Sequence, residues 1–201
     1  MAGTYIELSD LAAHPHEQFN RWYKDARRSA LALPHAMTLA TADAQGRPSA
    51  RMVLLKDVDE RGFVFYTNSQ SRKGRELAQN PHAALVFHWE PLRKQVRIEG
   101  SVEPVPDEEA DAYFATRPRG SQLGAWASPQ SDSIADRQHL QDAVDRLSAQ
   151  YPDRVPRPPH WTGFVVRPHT VEFWVDQASR LHDRFVYTRT ATGWDISQLA
   201  P

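Results

Sequence analysis

Residues 65–77 read FYTNSQSRKGREL, where a strand-like run gives way at Ser71 to a helix-like one. A helix start offers unbonded N–H groups and the positive end of a dipole, and Arg72 and Lys73 add formal charge there, which suits a phosphate. The same residues serve equally as a serine N-cap followed by two solvated cations. In the run Ser49 to Lys56, strand alternation puts Ala50, Met52, Leu54 and Lys56 on one face and Arg51, Val53 and Leu55 on the other. Each face carries a cation that must meet an anion or snorkel to water from a strand end. In DEEADAYFATRPRGSQLGAW, Tyr113 and Arg117 are four apart on a helix and Ser121 follows in a loop. Two hydroxyls and a guanidinium suit a second phosphate, although a helix end with Arg117 near its own carbonyls explains them as well. TVEFWVD turns Val171, Phe173 and Val175 to a core and Trp174 to a cleft or partner. In RLHDRF the same alternation aligns Arg180, His182 and Arg184 against Leu181 and Asp183, and three such groups in a row call for an anion or a solvated edge.

These residues need a frame. Phe19, Trp22, Tyr23 and Ala26 mark an amphipathic helix over about 16–32 that covers one end of a core. Beyond Pro34 come short strand-like runs: AMTLATAD, SARMVLLK, FVFYTN, HAALVFHWE, KQVRIEGSVEPV, WTGFVVRPH, TVEFWVDQ and RLHDRFVYTR. Helices are expected over Ser71 to Asn80, Asp107 to Thr116 and about Ser133 to Tyr151, while the prolines of YPDRVPRPPH make a stiff connector. The fold class is therefore mainly β, a barrel of seven or so antiparallel strands with flanking helices. Residues 16–201 read as a single domain preceded by a flexible segment over residues 1–15.

Composition narrows the chemistry. The 24 Lys and Arg against 25 Asp and Glu leave a net charge of −1, which argues against a general nucleic-acid binder. Only Lys24, Lys56, Lys73 and Lys94 are lysines, the other cations being arginines suited to bidentate phosphate contacts. The absence of cysteine removes disulfides and thiolate chemistry, and the nine histidines show no ligand spacing, so no metal is expected. No G-x-S-x-G elbow, G-x-G-x-x-G fingerprint or P-loop occurs. Without a membrane-length apolar run or a signal-like start, a cytoplasmic protein with no membrane partner is expected.

Five ordered segments carry a resemblance: RMVLLK at 51–56, FYTN at 65–68 with SRK at 71–73, RPRGSQLGAWAS at 117–128, VEFW at 171–174 and RLHDRF at 180–185. Together they resemble the pyridoxine (pyridoxamine) 5'-phosphate oxidase family, from about Phe19 to the final LAP. The resemblance implies an FMN-binding split barrel with Greek-key-like strands, a homodimer, and two FMN molecules at the subunit interface. It implies oxidation of pyridoxine 5'-phosphate or pyridoxamine 5'-phosphate to pyridoxal 5'-phosphate, with hydride transfer to FMN and O2 as the final acceptor. Matched by motif, FMN contacts fall on Arg51, Met52, Val53, Leu54, Leu55, Lys56, Tyr66, Thr67, Arg72, Lys73, Gln95, Gln130, Ser131, Trp174 and Arg184. Substrate contacts fall on Lys56, Tyr113, Arg117, Ser121, Arg180, Leu181 and His182, with Arg180 and His182 placing the substrate over the flavin. Where some relatives carry an Arg/Tyr-bearing N-terminal lid, this chain offers only Tyr5 before Leu8. The alternatives are a flavin oxidase of the same fold with another substrate, as in phenazine biosynthesis, and a non-catalytic FMN- or pyridoxal-phosphate-binding protein.

Overall fold

The computed structural model describes residues 6–201. Nine strands form one antiparallel sheet: β1 Ala36–Ala42, β2 Pro48–Leu54, β3 Asp57–Asp59, β4 Gly62–Asn68, β5 His82–Trp89, β6 Lys94–Pro104, β7 Trp161–Val175, β8 Asp183–Arg189 and β9 Trp194–Gln198. The main path runs β2-β1-β5-β6-β7-β4-β3, with β8 added to β7 and β9 to β8. Five helices flank it: α1 Pro15–Arg28, α2 Arg72–Gln79, α3 Asp107–Thr116, α4 Arg119–Ala127 and α5 Arg137–Gln150. The expectation of a mainly β, barrel-like fold with flanking helices holds, as a curled half-barrel of nine strands where about seven were expected. No helix among the described residues is long and apolar enough to cross a membrane.

Helix α1 begins with Pro15 at its first position, where a missing N–H costs nothing. It ends at Ser29, whose N–H and hydroxyl both donate to the Ala26 carbonyl. Its buried face carries Phe19, Trp22 and Ala26, as the spacing predicts. Phe19 meets Phe63 and Phe87 edge-on at 4.9 Å, and Trp22 meets Phe173 at 5.1 Å. Each such side chain removed from water stabilises the fold by about 1.5–3 kcal/mol. Of the segment expected to be flexible, residues 1–5, including Tyr5, lie outside the described residues. Ile6 and Leu11 pack on the core, and the buried Tyr187 hydroxyl donates to the Ala12 carbonyl at 2.7 Å.

Strand β7 departs from expectation most usefully. WTGFVVRPH and TVEFWVDQ read as two strands because Pro168 interrupts them, yet they form one strand of 15 residues. Pro168 stands opposite Gly100, where the β6 register shifts between Glu99 and Gly100, so the missing donor falls at a bulge. A Cβ on Gly100 would lie 2.0 Å from the Arg167 carbonyl oxygen, and glycine permits that approach. On its other edge β7 divides: Trp161 to Val166 pair with β4, and Thr170 to Val175 pair with β8.

Other boundaries shift for local reasons. Helix α5 starts at Arg137, because the Asp136 side chain caps the His139 N–H at 2.9 Å. Ser121, expected in a loop, lies in α4, a helix entered through Pro118 despite Gly120 and Gly124. Strand β9 was not anticipated.

RLHDRF is not a strand throughout. Ala178 to Arg180 form a 3-10 turn in which Ser179 and Arg180 take φ of 58° and 62°. Strand β8 begins only at Asp183, so the single face expected for Arg180, His182 and Arg184 does not exist. Tyr113 and Arg117 likewise share no helix face, since Arg117 is the extended cap residue of α3.

Candidate active site

Strand β4 delivers Tyr66 and Thr67 to one end of the sheet, opposite Gly163 and Thr162 at the start of β7. Gly163 is needed there: a Cβ would stand 2.6 Å from the Tyr66 ring. The ring stacks on Tyr113 at 4.2 Å and Trp161 at 5.1 Å, and burial, chiefly, pushes its hydroxyl up to about 12. Helices α3, α4 and α5 close over this end through Phe114, Leu123, Val144 and Leu147, packed with Trp161. Arg119 ties α4 to α5 by donating to the Tyr151 and Ser148 carbonyls.

Helix α2 starts as expected. Ser71 is fully buried and caps Gly74 with its hydroxyl oxygen. Lys73 is 8% exposed, and its ammonium donates to Gln130 Oε1 at 2.8 Å, Thr67 Oγ1 at 3.1 Å and Ser71 Oγ at 3.3 Å. Every one of those acceptors is neutral. Burial, then the nearby Arg51 charge, lowers the Lys73 ammonium to about 8, with Glu76 opposing weakly.

Arg51 and Arg72 do find an anion, and it is a residue the motifs did not single out. Glu76 is buried and accepts from Thr41 at 2.5 Å, Ser49 at 2.6 Å, Arg72 Nε at 2.9 Å and Arg51 Nη2 at 3.2 Å. Burial raises its carboxyl, but those hydrogen bonds and the Arg51 charge outweigh it and bring it to about 2. The Arg72 to Glu76 spacing of four on a helix was the available signal.

Arg117 is the other strained cation. Its guanidinium lies over the Trp161 ring at 4.8 Å and the Phe114 ring at 5.5 Å, and its buried Nη1 has no hydrogen-bond partner. Burial lowers its pKa, with Tyr113 opposing. A cavity of about 460 Å³ joins the two cations, lined among others by Lys56, Thr67, Lys73, Arg117, Ser121 and Gln130. Met52, Val53, Leu54, Tyr66 and Tyr113 also face it, Lys56 lying 5.9 Å from the Tyr113 ring. Leu55 turns away into the main core, and exposed Ser131 follows Gln130 with a φ of 78°.

The remaining motif residues form a second group. Gln95 pairs with Trp174 across β6 and β7, and Trp174 with Arg184 across β7 and β8, which puts the three in one row. Arg184 grips the buried Glu172 with two bonds of 2.9 and 3.1 Å and donates to the Ala200 carbonyl. His182 packs on Trp174 at 4.6 Å, and its Nδ1 lies 3.1 Å from both the Gln177 N–H donor and Asp176 Oδ1. Arg180 and Leu181 are exposed beside it. From Thr162 to Trp174 the contour of β7 is about 40 Å at roughly 3.3 Å per residue, so the groups sit at opposite ends of one strand.

A curled antiparallel sheet with a cation-lined cavity under a helical cover defines a split barrel. An FMN-binding protein from Nostoc punctiforme shares that fold with a TM-score of 0.76 at 18% identity, covering 95% of this chain and 100% of its own. Residues 23–151 match the family model described as pyridoxamine 5'-phosphate oxidase, and residues 161–201 match a pyridoxine 5'-phosphate oxidase C-terminal dimerisation region. The chain therefore belongs to the pyridoxamine 5'-phosphate oxidase family, a family of oxidoreductases. The curated pyridoxine/pyridoxamine 5'-phosphate oxidase of Paraburkholderia phymatum is 56% identical over 197 residues, covering 98% of this chain and 93% of the relative. That of Burkholderia thailandensis is 54% identical over 199 residues with the same coverage. PhzG from Burkholderia lata, solved with tetrahydrophenazine-1-carboxylic acid, superposes with a TM-score of 0.93 at 33% identity over the whole of both chains.

Proposed function

We propose that this protein oxidises pyridoxine 5'-phosphate or pyridoxamine 5'-phosphate to pyridoxal 5'-phosphate, using FMN and O2. The products are H2O2 and, from the amine with water, ammonia. The observation that carries the reading is that one cavity holds two cations lacking an anion: buried Lys73 among neutral oxygens, and half-buried Arg117 with an orphaned, buried Nη1. Two phosphorylated molecules, a cofactor and a substrate, would supply what both lack.

The Lys73 end fits the FMN phosphate, with Thr67 and Gln130 beside it and Arg51 and Arg72 held in place by Glu76. The Arg117 end fits the substrate phosphate, with Lys56, Tyr113 and Ser121 around it. Bound there, FMN would supply the two-electron acceptor that passes electrons to O2. The protein's share is to orient the substrate and exclude water. Gln95, Trp174 and Arg184 lie in a row at the far end of β7 from Thr162, a contour of about 40 Å, with Arg180 and His182 in the turn beyond it. A site using both groups takes one from each of two copies, which agrees with the match to a dimerisation region.

The likeness to PhzG favours a second reading, a flavin oxidase acting on a phenazine precursor. The orphaned Arg117 argues for a phosphorylated substrate instead. To decide, the purified protein's visible spectrum is recorded and pyridoxine 5'-phosphate is added without oxygen. Flavin absorbance near 450 nm is expected to bleach and to return on admitting air; a yellow protein that never bleaches with either vitamer phosphate sinks the proposal.

A further inference from the structure

A cavity of about 670 Å³ lies outside the site just described, against the outer face of α1. Lys24, Arg27 and Arg28 line it from the helix, Lys56 and Val58 from the strand side, and Tyr23 supplies a ring. All four cations are exposed, and among the described residues none has a carboxylate within ion-pairing distance. Asp57 is the one acid in the lining, while Asp25, on the same helix, is turned to Lys94 at 3.6 Å. Four cations without a carboxylate partner around one hollow, Arg27 lying 6.0 Å over the Tyr23 ring, stand out in a chain of net charge −1.

A bland account exists for part of this. Arg27 and Arg28 occupy the last turn of α1, where cations complement the helix dipole. That explains neither Lys24, a turn earlier, nor Lys56, which arrives from another element. Lys56 also lines the candidate active site, so the two cavities adjoin at one residue. The positive field is felt nearby: His35 is lowered, first by burial and then by the Lys56 charge.

We infer that the hollow beside α1 is a second anion-binding station, which takes a phosphate monoester dianion outside the catalytic cavity and shares Lys56 with it. Its cations are solvated and flexible, so binding is weak, fast and sensitive to salt. Its role as an antechamber for substrate rests on the function proposed above; its existence as an anion site does not.

The test uses flavin-loaded, nitrogen-15-labelled protein titrated with phenyl phosphate. Saturable shifts are expected at the Tyr23, Leu55 and Val58 amides at about 50 mM salt, weakened roughly tenfold near 0.5 M. Benzyl alcohol, which lacks the dianion, leaves them in place. The exposed-residue variant Lys24→Gln/Arg27→Gln/Arg28→Gln is expected to bind at α1 at least about tenfold more weakly, with Lys24→Gln alone intermediate. Shifts confined to Thr67 and Gln130, or shifts at α1 that persist in the triple variant, overturn the inference. Loss of turnover with vitamer phosphates while the α1 shifts remain would count against the proposed function and leave this site standing.

Discussion

Protein carrying Lys73→Met is expected to emerge from purification without yellow colour and to bind FMN roughly 100-fold more weakly, the scale of a lost charge-assisted contact in a buried place. Lys73 is 8% exposed in the parent and its ammonium is surrounded by neutral acceptors, so it stays charged there at a cost that a phosphate dianion would offset. The pH dependence carries a definite sign. Lys73 sits at about 8 in the fold against 10.5 ordinarily, so between those values the unfolded chain holds more protons than the folded one. The stability of the FMN-free parent therefore rises as pH climbs from 8 to 10, and Lys73→Met lacks that portion of the rise. Lys94, also lowered by burial, moves in the same direction in both proteins and cancels in the comparison. Tyr66 and Tyr187, both raised to about 12, act with the opposite sign only above about 10. FMN affinity should fall over the same window, because the cation that its phosphate would meet is titrating away. Thermal melts and fluorescence titrations check both slopes, and retention of full FMN affinity by Lys73→Met refutes the assignment.

Arg117→Met is expected to separate cofactor from substrate. KM for pyridoxine 5'-phosphate should rise about 100-fold while the protein stays yellow, since a guanidinium facing a phosphate contributes about 1.5–3 kcal/mol. Stability should change little. The cation–π contact over Trp161, worth about 1–2 kcal/mol at a partly desolvated site, is lost. Against that, removing the orphaned buried Nη1 relieves a desolvation penalty of roughly 1–3 kcal/mol. A melting temperature at or slightly above the parent's, together with the raised KM, identifies Arg117 as a ligand group. A colourless variant would assign it to FMN instead, and a large fall in melting temperature would make it structural.

What could be read from the chain followed the locality of each signal. Ser71 to Lys73 at a helix start and the alternation in TVEFWVD depend on neighbours within a turn or two, and both appear as expected. The continuity of β7 through Pro168 was hidden because it depends on the pairing with β6, far away in sequence, where the register shifts beside Gly100 and leaves His169 of β7 as the extra residue. RLHDRF misled because strand periodicity says nothing of the left-handed pair Ser179 and Arg180. Helix α4 was obscured by its glycines, although its contacts with Tyr151 and Pro156 hold it. Glu76 drew no notice among 25 acids, since its worth lies in the Thr41, Ser49 and Arg51 side chains brought to it by β1 and β2.

The placement of the two residue groups at opposite ends of β7 also has a genetic meaning. If each site takes one end of the strand from either copy, lesions at Lys73 and at Arg184 belong to different complementation classes. Mixed dimers of a Lys73→Met chain with an Arg184→Ala chain would carry one doubly damaged site and one intact site. Co-expression, or refolding the two inactive variants together, should then recover activity that neither has alone, measurable as turnover of the isolated heterodimer at about half the parental rate.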